Sequence, residues 1–166
     1  MKLKLLIVAL FCSVVGWGQV TIFSETVGNT GSGTLTIAGT TFDNPGLTFT
    51  GNADTRTTSP SSGYAGASGL RNVFITGTVG QNFEISGINT SAYTALQLTF
   101  GELKSGAAGA ANLLVVEVSS DGITYNPLAY SRSDGAVWAL ISPTGTIPST
   151  SNLRIRFRNP ATTQQF

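Results

Sequence analysis

The 166-residue chain carries nine Lys/Arg and eight Asp/Glu, a single cysteine and no histidine. Histidine-based serine or cysteine triads, zinc sites built on His and Cys, and any disulfide within the chain are therefore excluded. A formal charge of +1, with charged residues only 10% of the total, gives no general attraction for nucleic acid or an acidic membrane.

Residues 1–18 read as an export signal. Lys2 and Lys4 form a positive start, Leu5 to Val15 an apolar core, and Gly16-Trp17-Gly18 a small-residue cleavage pattern before Gln19. The apolar run is shorter than the roughly 20 residues a membrane span needs. A cut that leaves Cys12 lipidated is disfavoured, because Phe11 stands where a small residue is required. The remainder of the chain, Gln19 to Phe166, suits one domain. Its abundant Thr, Ser and Gly suit half-exposed strands and tight turns.

Val20 to Val27 is the first strand candidate, and Thr34 to Ala38 a short second one. Asp43-Asn44-Pro45-Gly46 is a dense turn signal. Leu47 to Thr50 is the next strand, with Leu47 and Phe49 inward. Gly51 to Gly69 then reads as one long loop carrying Arg56 and Tyr64. Loops beyond about 12–15 residues are uncommon in compact domains and are often functional. A polar surface loop is the plainer reading; a lip of a binding site is the functional one.

Asn72 to Thr76, Asn82 to Ser86 and Ala95 to Leu103 alternate apolar and polar residues, as half-buried strands do. Leu113 to Leu128 reads as a hairpin about Asp121-Gly122, with Val118 opposite Tyr125 across a two-residue turn. Val137 to Ile141 carries Trp138, and Leu153 to Arg158 has the cleanest alternation in the chain. There Leu153, Ile155 and Phe157 face in, while Arg154, Arg156 and Arg158 face out. Thr163 to Phe166 looks like the onset of one more strand, so the domain is expected to continue past it. About nine short strands without an amphipathic helix predict an all-β, two-sheet antiparallel β-sandwich, a jelly roll by preference. An immunoglobulin-like sandwich is the alternative, although its Cys-Trp-Cys pattern is absent.

The segment Ser119 to Tyr125 (SSDGITY) resembles the hairpin of galactose-binding-like and carbohydrate-binding jelly rolls. Ile22 to Thr26, Ser62 to Gly69, Ile85 to Gly101 and Leu153 to Asn159 extend that resemblance to β-sandwich modules of secreted Bacteroidota proteins, in a type IX secretion context. The resemblance implies a secreted or cell-surface module of a larger polypeptide. It also implies a final strand beyond Phe166 and, in a longer chain, a structural calcium near Glu25. One carboxylate cannot supply the six to eight oxygens calcium takes, so no complete metal site and no cofactor are expected here.

Candidate ligand-binding residues are Arg56, Tyr64, Tyr130 and Trp138. Aromatic rings offer platforms for the C–H faces of sugars, and an Arg fork matches oxyanions. Trp138 also reads as core, alternating with inward neighbours. The Arg154–Arg156–Arg158 stripe reads first as a solvated face that discourages edge pairing, and second as a site for sulfated or acidic glycans. A catalytic pair of carboxylates would have to come from acids such as Glu84, Glu102 and Glu117, of which Glu84 and Glu117 read as solvated. The leading expectation is an exported, non-catalytic binding module for polysaccharide or cell-surface glycan. The alternatives are a structural or adhesive spacer and, third, a carboxylate-dependent glycoside hydrolase.

Overall fold

Among the described residues the chain forms ten short strands and no α-helix. The computed structural model describes residues 19–28, 31–104, 114–132, 136–160 and 165–166. The export signal, the loop at 105–111, Leu113, Asp134 and the start of the last predicted strand lie outside them.

The strands are β1 (Thr34–Thr36), β2 (Thr48–Gly51), β3 (Asp54–Arg56), β4 (Asn72–Phe74) and β5 (Asn82–Ile88). They continue with β6 (Phe100–Glu102), β7 (Val115–Ser119), β8 (Asn126–Leu128), β9 (Ala139–Ile141) and β10 (Leu153–Arg158). Every pairing is antiparallel, in sheets ordered β2-β5-β10-β7-β8, β1-β3-β4 and β6-β9. A single 3-10 turn at Ile37–Gly39 is the one helical element among the described residues. The protein is an all-β antiparallel sandwich.

The core lies against the inner face of the five-stranded sheet. Phe83 and Ile85 of β5, Val116 and Val118 of β7, and Leu153 and Ile155 of β10 are buried there together with Ile37, Ala53 and Ile75 from the three-stranded side. Val118 is fully buried, which is worth roughly 2 kcal/mol for a side chain of its size. Phe42, Phe49, Phe83 and Phe157 stack in succession, with Phe42 and Phe49 3.9 Å apart. Phe157 then meets Phe100 edge-on and Phe100 meets Tyr130, so one aromatic row joins the five-stranded sheet to β6.

Of the expected strand from Ala95 to Leu103 only Phe100–Glu102 pairs, and four further expectations change. Val20 to Val27 forms no strand. It is held instead by Glu25, whose Oε1 accepts the N–H groups of Val27 and Asp43 and whose Oε2 accepts the N–H and Nδ2 of Asn44. The long loop is shorter than it reads, because Asp54–Arg56 leaves it to pair between β1 and β4. Polar Asp-Thr-Arg lacks an apolar alternation to reveal it.

The Arg-bearing β10 is a central strand, not an edge, so its charges have no edge to protect. The hairpin register also differs: Val118 faces Asn126, not Tyr125. Only Gly122 has positive φ at the turn, whereas a type I′ turn needs two such residues. Asp121 Oδ1 instead accepts the N–H groups of both Ile123 and Thr124. The turn gains a residue, and that reverses the face of everything after it.

Candidate functional site

The segment that leads into β9 and the strand β4 line a groove of about 240 Å³. Trp138, just ahead of β9, stands on one wall. Asn72 and Phe74 of β4 stand on another, with Ser59, Lys104 and Ala136 between them. The loop after β3 is held in place by its own carbonyls. Asn72 Nδ2 donates to Thr58 O at 2.8 Å and to Ser59 O at 3.0 Å. Trp138 Nε1 donates to the same Ser59 O at 3.1 Å. One carbonyl thus fixes both the indole and the amide.

That carbonyl is aimed by a left-handed backbone. Ser59 (φ 56) and Ala136 (φ 62) are two of the four non-glycine residues with positive φ among the described residues, and both line this groove. Such conformations cost on the order of 1–3 kcal/mol and persist where surrounding contacts enforce them. Here the Ala136 N–H donates to Lys104 O at 2.6 Å, and Ser59 holds its two donors.

Arg56 and Trp138 come to the same region. Arg56 lies opposite Asn72 across the β3–β4 pair, so the two share a face. Its guanidinium covers the Phe74 ring at 3.5 Å and grips Asp54 with two 2.8 Å bonds. Trp138 is half-buried rather than part of the core.

Tyr64 and Tyr130 do not join them. Tyr64 lies so close to Gly101 that a Cβ there would collide with its hydroxyl. Tyr130 packs edge-on against Phe100 and donates to Glu102 Oε1 at 2.7 Å. Burial first, then the Glu102 charge and hydrogen bond, hold the Tyr130 phenol far above its usual range. Tyr130 is thus tied into the buried cluster by its hydroxyl, and the hydroxyl end of Tyr64 packs on Gly101.

Glu102, Lys104 and Arg132 form a buried polar cluster behind the groove. Arg132 Nη1 donates to Glu102 Oε2 at 3.3 Å and to the Glu102 carbonyl, and Nη2 to the Val137 carbonyl. Lys104 Nζ donates to Arg132 O at 3.1 Å. The cluster locks the end of β6 to the segment that delivers Trp138. Nothing in the sequence singles out Lys104, Arg132 or Ser59, and Asn72 stands there only as the first residue of an expected strand.

Glu25 has its carboxylate ringed by N–H donors, the reverse of a cation cage, and no group of three or more metal-ligating side chains occurs among the described residues. Asp121 is a turn residue. Backbone N–H groups of Ile123 and Thr124, then the Ser119 hydroxyl, lower its carboxyl to about 2. Glu84 and Glu117 are buried rather than solvated, held by Arg154 at 3.0 Å and by Arg156 at 2.7 Å. Set beside family models, curated proteins and solved structures, the chain matches none of them.

Proposed function

We propose that this chain is an exported, non-catalytic β-sandwich binding module whose ligand is carbohydrate, taken in the groove between Trp138 and β4. The observation that carries the reading is the shared Ser59 carbonyl. It holds the Trp138 indole and the Asn72 amide in one geometry before any ligand arrives, and preorganised sites lose less entropy on binding. An indole wall supplies apolar contact for the C–H face of a sugar ring, and neighbouring amide and hydroxyl groups supply orientation. Export and attachment to further domains belong to the same reading and rest on residues 1–18 and on the resemblance to secreted modules.

A glycan array probed with the protein and with Trp138→Ala tests it. Binding to a neutral oligosaccharide that disappears in Trp138→Ala supports the groove; an array with no signal, or one unchanged by the substitution, removes it.

A spacer role is the second reading. It is favoured by how fully the groove's polar groups are already used: the Asn72 amide, the Trp138 N–H and the Arg56 fork all bond within the protein. A hydrolase is less favoured. Glu84 and Glu117 do share a sheet face, each opposite Arg156 from its own side. At two strand spacings, roughly 10 Å, they approach the separation of an inverting pair. Guanidinium groups occupy the space a nucleophilic water would need.

A further inference from the structure

We propose that the outer face of the five-stranded sheet binds sulfate esters of an acidic polysaccharide, with Arg156 and Arg158 gripping one ester between them. This site is separate from the groove and does not depend on it.

Seven cations lie beyond residue 18. Arg71, Lys104 and Arg132 are buried, and Arg56 is engaged by Asp54 through both prongs of its fork. The remaining three, Arg154, Arg156 and Arg158, stand in a row on β10 with side chains 31%, 28% and 35% exposed. Apart from Arg56, whose charge Asp54 offsets through both prongs, the partly exposed cations beyond residue 18 are thus gathered on one face.

The carboxylates beneath orient these cations without satisfying them. Glu117 Oε1 accepts the Nε of Arg156 at 2.7 Å and the Nε of Arg158 at 3.2 Å. Two guanidinium groups therefore converge on a single oxygen, and their Nη edges meet no protein acceptor among the described residues. Arg156 is further fixed over the Tyr125 ring, its guanidinium carbon 3.5 Å from the ring centre. Glu84, which Arg154 and Tyr125 both engage, completes the face. Three guanidinium groups against two carboxylates leave one positive charge.

That arrangement selects its ligand. Alternate residues of one strand project about 7 Å apart, and Glu117 draws this pair of heads together. A planar carboxylate has two oxygens and fills one fork. Two converging forks call for a tetrahedral oxyanion with three terminal oxygens, and the single residual charge matches a sulfate half-ester better than a doubly charged phosphate ester. The absence of lysine from the row fits fork recognition rather than diffuse attraction.

The test is calorimetry of the whole protein with heparin as the sulfated probe, beside polygalacturonate and single-stranded DNA. We expect heparin to bind at low ionic strength, to weaken as salt is added, and to bind more tightly than either comparator. Arg158→Gln, the most exposed of the three, should weaken heparin binding several-fold, and Arg156→Gln with Arg158→Gln roughly tenfold or more. Arg158→Lys, which keeps the charge and loses the fork, should fall near Arg158→Gln. Unchanged circular dichroism separates these losses from misfolding, and Arg158→Gln alone decides the matter if the double variant does not fold. Absence of heparin binding, equal binding by Arg158→Gln, or polygalacturonate or DNA binding as tightly as heparin would each overturn the proposal. A failure here leaves the Trp138 groove untouched, since none of these arginines lines it.

Discussion

Tyr125 donates its hydroxyl to Glu84 Oε2 at 2.7 Å, reaching over the outer sheet face from the end of the β7–β8 turn to β5. With a two-residue turn at Asp121-Gly122, Tyr125 would lie opposite Val118 and point into the core. The additional turn residue puts it on the polar face, where it also supports the Arg156 guanidinium. One residue of turn length decides whether the outer face has an aromatic floor.

Tyr125→Phe keeps the ring beneath Arg156 and removes only the hydroxyl. Its loss should cost about 1 kcal/mol, the usual net worth of a partly buried hydrogen bond. In urea denaturation this appears as a lower midpoint with an unchanged slope. A double-mutant cycle with Glu84→Gln should return a clear coupling energy, because the two groups touch. Zero coupling would mean that the contact contributes nothing in solution.

Asp121 gives the hairpin an acid limit. Its folded-state pKa is lowered from 3.8 to about 2, chiefly by the Ile123 N–H and then the Thr124 N–H. A group depressed on folding stabilises above its unfolded value and loses that contribution as pH falls through the folded one. Stability contributed by Asp121 should therefore be complete above about pH 4 and fade towards pH 2. Asp121→Asn should flatten the thermal-midpoint profile over that interval alone. A profile identical to that of the parent protein would assign the acid sensitivity elsewhere.

The fold was legible because strand alternation is a local property. Leu153 to Arg158 reads the same in sequence and structure, and so does the burial of Val116 and Val118. What failed depended on contacts that a linear reading does not contain. Asp54–Arg56 is a strand because β1 and β4 flank it, not because its side chains alternate. Tyr125 changed face because Asp121 could cap two N–H groups at once. Of the four candidate ligand residues, Arg56 and Trp138 come to one region, since Arg56 pairs opposite Asn72 of β4 and the Trp138 N–H shares the Ser59 carbonyl with that Asn72. Tyr64 and Tyr130 were aromatic in the right stretches, but nothing in their neighbours signalled Gly101 or Glu102 as the surface each would pack on.

The hairpin also offers a direct contrast between its two faces. Val118 is fully buried, whereas Ile123 at the turn is 86% exposed. Val118→Ala should destabilise by roughly 2 kcal/mol through lost burial and the cavity it leaves. Ile123→Ala should stay within about 0.5 kcal/mol of the parent. If the predicted two-residue turn were correct instead, the partner strand would shift by one residue and Tyr125→Ala would behave as a core deletion. Chemical denaturation of the three variants distinguishes the registers.

Tyr130 sets the alkaline limit. Its hydroxyl donates to Glu102 Oε1, whose other oxygen accepts from Arg132, and burial is the largest cause of its raised pKa. A phenol raised on folding stabilises fully below its unfolded value near 10 and less as pH climbs above it. Tyr130 should thus stay protonated while the fold survives, and its phenolate absorbance should emerge together with unfolding. Tyr130→Phe should remove that late absorbance and make stability less dependent on pH above 10. It should also lower stability near neutrality by about 1–2 kcal/mol, because a buried carboxylate oxygen loses its donor. Ionisation of Tyr130 near pH 10 in a protein that keeps its native near-ultraviolet dichroism would show that the Glu102 contact is open to solvent. In that case the cluster that positions Trp138 would be looser than its geometry implies.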